Sequence, residues 1–362
     1  MLEKKTKELE KMEIELICPA EGEEISFLTQ EQKHFLSDGN RAVPHTPDPT
    51  PRTVDLTVPR SVGFEWRAAE PDSELQIAPS PDFGEIMRFP GVPSCGRKKT
   101  KGERSSFSAE VRNLPCGRKY FWRAAAGEDF SPVRSFTTAR DLPRWIAMPE
   151  VTNVRDIGNW PTRDGRVIRQ EMVYRGAQLD AWPPPPECAV NDEGRHVFFD
   201  VLKIRTELDL RGKTPVLPVE RFRPVVMQAY ATWNETGIFS AEQMAAVKKI
   251  FDLFADPDTY PVYIHCMGGG DRTGTVAFLL EAMLGVDIAD MITEYELSNL
   301  SVSGERSRFS AVWTKFMEKL ETFAPGGSRN DQISAYLAQC GVTKQTQEKI
   351  RKILLTDPTP AA

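Results

Sequence analysis

At 362 residues the chain is long enough for two domains, and its 40% hydrophobic and 27% charged residues are ordinary for globular protein, which excludes wholesale disorder. The longest uninterrupted apolar run is five residues, Val276–Leu280, too short for a helix to cross a bilayer. A net charge of −6, from 46 basic and 52 acidic residues, argues against nucleic acid as the main partner.

Residues 1–11 read as a charged tail or short helix without the apolar stretch of a secretory signal, so the sequence as given is expected to be cytoplasmic, or secreted if a leader was trimmed. From 12 to 140 the pattern is β. Met12–Ile17 alternates polar and apolar residues, and similar runs follow at Val62–Trp66, Leu75–Ala78, Phe107–Val111, Tyr120–Ala124 and Val133–Thr137, separated by turn residues. Ile25–Leu36 breaks the rhythm with helical spacing and Thr29 as N-cap, and a Pro/Thr/Asp stretch from Val43 to Arg52 reads as a loop. Residues 91–125 carry nine Lys or Arg against two Glu, centred on 97–102. This is a solvated hairpin loop or a contact for an anionic surface. Leu114–Arg123 followed by Ser131–Thr138 resembles the last strands of a fibronectin type III module. That resemblance implies an all-β sandwich over 12–140 with a helical insertion, serving to dock a protein partner.

Residues 141–150 read as a linker, and 151–356 as an α/β domain with a central, mainly parallel sheet and a helical C-terminal half. Short strands are expected at Val167-Ile168, Met172–Tyr174, Ile204–Leu210 and Pro261–His265, and helices at Thr273–Leu284, Ile288–Leu300, Arg308–Phe323 and Asp331–Cys340. Four prolines at 183–186 mark a stiff loop. The six cysteines (Cys18, Cys95, Cys116, Cys188, Cys266, Cys340) are too sparse for a disulfide scaffold and have no zinc-ligand spacing; no metal and no cofactor is expected.

The informative segment is Tyr263-Ile264-His265-Cys266-Met267-Gly268-Gly269-Gly270-Asp271-Arg272-Thr273-Gly274. A buried strand ends at His265, a cysteine follows, and a glycine-rich turn leads into a helix. Glycines let successive N–H groups turn inward, and the helix start aims its own free N–H groups at the same point. That field favours the thiolate of Cys266, while Arg272 adds a fork able to grip two phosphate oxygens. The alternative is an inert buried cysteine beside a glycine-rich turn, which is the reading taken for the other five.

His265-Cys266, five residues, then Arg272-Thr273 resembles the signature of the cysteine-dependent protein tyrosine phosphatases. Asp271 before the arginine resembles the bacterial branch related to a secreted mycobacterial enzyme that also accepts lipid phosphates. Asn153–Asn159 with Asp164–Arg166 and Val173–Gly176, and Ile204–Arg211, are similar to further blocks of that branch. The resemblance implies that Cys266 attacks phosphorus, that Arg272 and the N–H groups of residues 267–272 (Met267, Gly268, Gly269, Gly270, Asp271 and Arg272) bind the phosphate, and that Thr273, in the same phosphate loop, donates to the sulfur. His265 either orients the loop or transfers protons. The general acid is Asp271, Asp209 or Glu235; no Trp-Pro-Asp loop is present. Relatives acting on phosphoinositides often carry a lysine where this chain has Gly270, which favours a phosphotyrosine protein or peptide over an inositide substrate. A non-catalytic phosphate-binding protein is the reading from another class.

Overall fold

The computed structural model describes residues 14–37, 54–69, 72–93, 104–180, 190–213, 215–227, 237–303 and 306–356. The charged tail at 1–11, the Val43–Arg52 stretch, the basic centre at 97–102, Cys95, the prolines at 183–186, Cys188 and Glu235 lie outside them. The chain forms two compact units: one of residues 1–28 and 59–141, the other of 29–58 and 142–362.

The first unit is all β. One sheet has the order β1 (Glu15–Cys18), β3 (Val62–Ala68), β7 (Ser105–Val111), β6 (Val92–Pro93). The other runs β2 (Glu23–Ile25), β10 (Arg134–Thr138), β8 (Lys119–Ala126), β4 (Glu74–Ala78), β5 (Met87–Pro90), with β9 (Asp129–Phe130) on β8. Alternation along the strands sends one face of each sheet into a common core: Leu16, Phe64, Trp66 and Phe107 from the first sheet meet Leu75, Tyr120, Trp122 and Phe136 from the second. Phe64 stands edge-on to Trp122 at 5.2 Å between ring centroids.

The helix expected inside this module does form, as α1 (Gln30–Ser37). Thr29 Oγ1 accepts from the Gln32 N–H at 3.2 Å and Gln32 Oε1 accepts from the Thr29 N–H at 3.0 Å, a reciprocal cap. It belongs with the second unit, however, so the insertion is not part of the sandwich. Gln32 Nε2 donates to Leu56 O and Val58 O, and the Leu56 N–H donates to Leu300 O at 2.9 Å.

The second unit is built on a six-stranded sheet, ordered β11 (Arg144–Trp145), β12 (Arg155–Asp156), β14 (Val173–Gly176), β17 (Val262–His265), β15 (Thr206–Asp209), β16 (Arg223–Val226). The last four are mutually parallel, and β11 and β12 add an antiparallel edge. In register, Gly176 and Asp209 flank His265, so three parallel strands end together where the chain leaves β17. Open α/β sheets place ligands at such an edge. A short strand β13 (Val167–Ile168) pairs with β18 (Leu355–Thr356).

Helix α2 (Asp192–His196) and helix α3 (Ala241–Phe254), capped by Ser240, precede β17. Helix α4 (Arg272–Leu284) follows the glycine turn, and every residue after Arg272 is buried, as its nearly unbroken apolar composition requires. It ends where Gly285 takes φ +97°. Helices α5 (Ile288–Glu296), α6 (Ala311–Glu321), α7 (Arg329–Gln339) and α8 (Lys344–Leu354) complete the unit, capped by Asp287, Ser310, Ser328 and Thr343. Among the described residues no helix is long and apolar enough to cross a membrane.

Candidate active site

The turn from Cys266 to Asp271 has all six of its carbonyl groups engaged on its outer side. Cys266 O lies 3.1 Å from His265 Nδ1. Met267 O accepts from the Gln178 N–H at 3.0 Å, Gly268 O from Asn153 Nδ2 at 3.0 Å and Gly269 O from Arg175 Nη2 at 2.6 Å. Gly270 O and Asp271 O accept from the N–H groups of Gly274 and Thr275 as α4 begins. A trans peptide sets each N–H opposite the carbonyl before it. Fixing the carbonyls of 266–271 therefore turns the amides of Met267 to Arg272 to the other side, and none of these donates to an acceptor among the described residues. The result is a ring of free donors at the start of a buried helix.

Glycine is required for this path. Gly269 has φ +70°, and a Cβ there would stand 2.3 Å from Gly176 O. Cys266 is 3% exposed, at the base of the turn. Thr273 is fully buried and its Oγ1 has no hydrogen-bond partner, a donor left over beside the ring. Arg272 is half-buried, and its Nη1 donates to Leu210 O at 3.1 Å.

A buried ionic network holds two of those carbonyls. Glu294, on α5, accepts from Arg155 Nε at 2.6 Å and from Arg175 Nη1, and both arginines are fully buried. Arg155 Nη1 also donates to Asn153 Oδ1, which fixes the amide that reaches Gly268. Burial and the neighbouring Arg175 bring Arg155 down to about 10, against the pull of Glu294. Burial alone would raise Glu294, but the two guanidinium groups outweigh it and hold it below the usual carboxylate range. Glu281 on α4 has the opposite fate: burial, reinforced by Glu294, pushes it well above that range, and neither of its oxygens has a partner.

His265 is fully buried with an acceptor at each ring nitrogen, Cys266 O on one side and Glu207 Oε1 at 2.8 Å on the other. That geometry is one of orientation, with no route for the ring to a reacting group. Asp209 sits at the strand edge as expected but is locked. Its carboxylate accepts from Arg211 Nε at 2.9 Å, Nη2 at 2.7 Å and the Arg211 N–H at 2.8 Å. Burial works to raise Asp209, yet Arg211 and the nearby His265 prevail and keep it below the ordinary range. A carboxylate so engaged is a poor proton donor.

Asp271 stands on the rim of the turn, its side chain 46% exposed, with Arg306 Nε 2.7 Å from Oδ1 and Arg306 Nη2 donating to Oδ2 at 2.8 Å. Of the three candidate acids it alone combines a place in the turn with partial exposure; Glu235 lies outside the described residues. Reading the sequence passed over Arg306 and Glu294, and Glu207 and Arg211 appeared only within the similar block Ile204–Arg211. Asn153, Arg155 and Arg175 appeared only as parts of the similar blocks. Nothing local marks Arg306 or Glu294, which reach the turn through the tertiary fold.

No curated protein matches the chain. Among solved structures, the core catalytic domain of the PP-IP phosphatase SIW14 from S. cerevisiae, in complex with citrate, is similar with a TM-score of 0.29 and 13% identity, covering 52% of this chain and 95% of that one. The family described as the tyrosine phosphatase family matches residues 146–356, which include five of the six strands of the sheet (all but β11), the cysteine turn and the buried network. With that match spanning more than half its length, the chain belongs to the tyrosine phosphatase family.

Proposed function

We propose that this protein hydrolyses phosphate monoesters through a cysteinyl-phosphate intermediate, with phosphotyrosine in a protein or peptide as substrate. The observation that carries this reading is the ring of six amides, from Met267 to Arg272, unpaired among the described residues, at the start of α4 next to Cys266. The three oxygens of a phosphoryl group accept from that ring and from Arg272. The Cys266 thiolate attacks phosphorus in line, forming the S–P bond as the P–O bond to the leaving group breaks. Asp271 gives its proton to the departing oxygen. It then takes one from the water that attacks phosphorus and expels the sulfur. Thr273 Oγ1, buried and unpartnered, donates to the sulfur anion in that second step. No step calls for a metal or cofactor.

A second reading, a multiply phosphorylated inositol headgroup, is favoured by one observation. The absence of a lysine at 270 weighed against it, but a cation from elsewhere, Arg306, lies against Gly270. We also read the N-terminal sandwich as a fibronectin type III-like docking module, by analogy of fold, and the protein as cytoplasmic.

The test is turnover of p-nitrophenyl phosphate by the full chain and by Cys266→Ser. Vanadate-sensitive turnover that survives EDTA and disappears in the variant is expected. An active Cys266→Ser variant, or activity that EDTA removes, overturns the assignment. A phosphotyrosine peptide compared with phosphoinositides under the same conditions then decides the substrate.

A further inference from the structure

Arg306 lies in the segment between α5 and α6, 35 positions beyond Asp271. Its guanidinium fills the volume that a side chain at position 270 would take: a Cβ on Gly270 would stand 2.8 Å from Nε, 2.9 Å from Nη2 and 3.0 Å from Cζ. The backbone behind it is fixed, since the Arg306 N–H donates to Asn299 Oδ1 and Asn299 Nδ2 donates to Arg306 O at 2.7 Å. With a side chain 15% exposed, Arg306 presents a positioned cation at the rim of the amide ring, held for now by the two oxygens of Asp271.

We propose that Arg306 is a second anion-binding residue of this pocket, taking a negatively charged group that the leaving portion of the substrate carries next to the scissile phosphate. This rests on the reading of Asp271 as the acid. To protonate the leaving oxygen Asp271 must touch it, and the fork that grips both Asp271 oxygens then lies on the leaving-group side. A phosphate or carboxylate arriving there competes with Asp271 for the same fork. The exchange ties down the substrate and releases Asp271 from the ion pair that keeps its oxygens occupied. The glycine at 270 has a role in this arrangement, because a side chain there would force the guanidinium to shift from this position. Two sources share the required chemistry: a vicinal phosphate on a small polyol, and an acidic side chain flanking phosphotyrosine.

Calorimetric titration of the wild-type chain with methylphosphonate and methylenediphosphonate tests the inference. Neither ligand has an ester to cleave, so absence of turnover on p-nitrophenyl phosphate would sink the hydrolase reading and leave this comparison standing. Wild type is expected to bind the diphosphonate about tenfold or more tightly than the monophosphonate, the scale of one charge-assisted bidentate contact. Arg306→Gln should bring the two within about threefold, Arg306→Lys should fall between, and Asp271→Asn, which removes the competing carboxylate, should widen the gap. Circular dichroism melting checks that Arg306→Gln folds; should it not, the reduced preference of Arg306→Lys decides. Equal affinities in wild type, or a preference that survives Arg306→Gln, overturn the proposal, and wild type binding neither ligand overturns it together with the reading of the turn. Binding of Cys266→Ser to phosphotyrosine peptides with aspartate or alanine beside the phosphotyrosine, and to an inositol bisphosphate with adjacent phosphates, separates the two sources. A gain from the second anion in either arm supports the proposal, and a gain in neither counts against it.

Discussion

Two aspartates near the turn differ in what their partners leave them able to do. Each is paired with one arginine, but Asp271 takes two contacts from Arg306 on a half-exposed rim, whereas Asp209 takes three donors from Arg211 in a buried setting. Asp271→Asn is therefore expected to lower kcat by about 10²–10⁴ for a phenolic leaving group of high pKa, and less for p-nitrophenol, which needs little protonation. Asp209→Asn should act on stability instead, by about 1–3 kcal/mol, because Arg211 keeps Gln178 and Asp180 as partners. The sign follows from the depressed value of Asp209: its contribution is complete above the ordinary carboxylate range and is lost as pH falls through the folded value. Urea midpoints of wild type and Asp209→Asn should thus differ by a constant amount at pH 6–7 and converge below about pH 4. A collapse of kcat in Asp209→Asn with unchanged stability would reverse the two roles. The local frame that holds Cys266 and Arg272 was legible because a strand end, a glycine turn and a helix start are contiguous in sequence. The surroundings of the candidate acids were less so: Arg306 reaches Asp271 from 35 positions away, and although Arg211 is only two residues from Asp209, sequence alone does not show that its guanidinium folds back onto that carboxylate.

Between the amide ring and the sheet lies the network of Glu294, Arg155, Arg175 and Asn153, and its strain is distributed unequally between two glutamates. Glu294 offsets two buried cations, and removing its charge leaves both without a counter-ion. Glu294→Gln should cost about 3–5 kcal/mol, and the loosening of the Gly268 and Gly269 carbonyls should raise the inhibition constant of inorganic phosphate along with KM. Glu281, held neutral by burial, predicts the contrary. In the folded chain it keeps a proton that the unfolded chain gives up above about pH 4, so stability is lost as pH rises through that range. Glu281→Gln should raise the urea midpoint at pH 7 by on the order of 1 kcal/mol in stability, with the gain vanishing near pH 4. If both variants destabilise alike, the division of charge between the two helices is wrong. The elements that carry this network were largely visible beforehand: strands expected at Met172–Tyr174, Ile204–Leu210 and Pro261–His265 form within two residues of those bounds, and four helices formed where three- and four-residue spacing placed them. Among the misses in this unit were the short α2, α3, which has a Ser240 cap but was passed over, β18, and the edge strand β16, whose Pro224 hid its pairing. The two-residue strands β11 and β12 are too short to show a period at all.

On the scale of the whole chain, the described residues 29–37 and 54–58 interrupt the sandwich in sequence yet fold with the phosphatase unit. Periodicity revealed α1 and its cap but had no means of telling which core would receive it, because an amphipathic segment states only that one face is buried. The physical link is a short relay. Thr57, 2% exposed, accepts from the Asn153 N–H at 2.9 Å and donates to Asp55 at 2.6 Å, and the side chain of the same Asn153 donates to Gly268 O at 3.0 Å. Asn153 adopts φ +64°, a left-handed conformation that asparagine takes more readily than other residues with a side chain. A residue in the first sixth of the chain thus helps aim an amide of the glycine turn more than 200 positions away. Thr57→Val preserves shape and removes the acceptor, leaving a buried N–H unpaired at a cost of about 1–3 kcal/mol. In a unit of this size that lowers the melting temperature by about 2–4 °C per kcal/mol. The accompanying drift of Asn153 should weaken phosphate inhibition of p-nitrophenyl phosphate turnover by several-fold, whereas Thr57→Ser, which keeps the hydroxyl, should restore both. A Thr57→Val protein that melts early but binds phosphate as wild type does would show that the segment contributes stability alone. Full rescue by serine of both readouts ties the 29–58 segment to the chemistry of the turn.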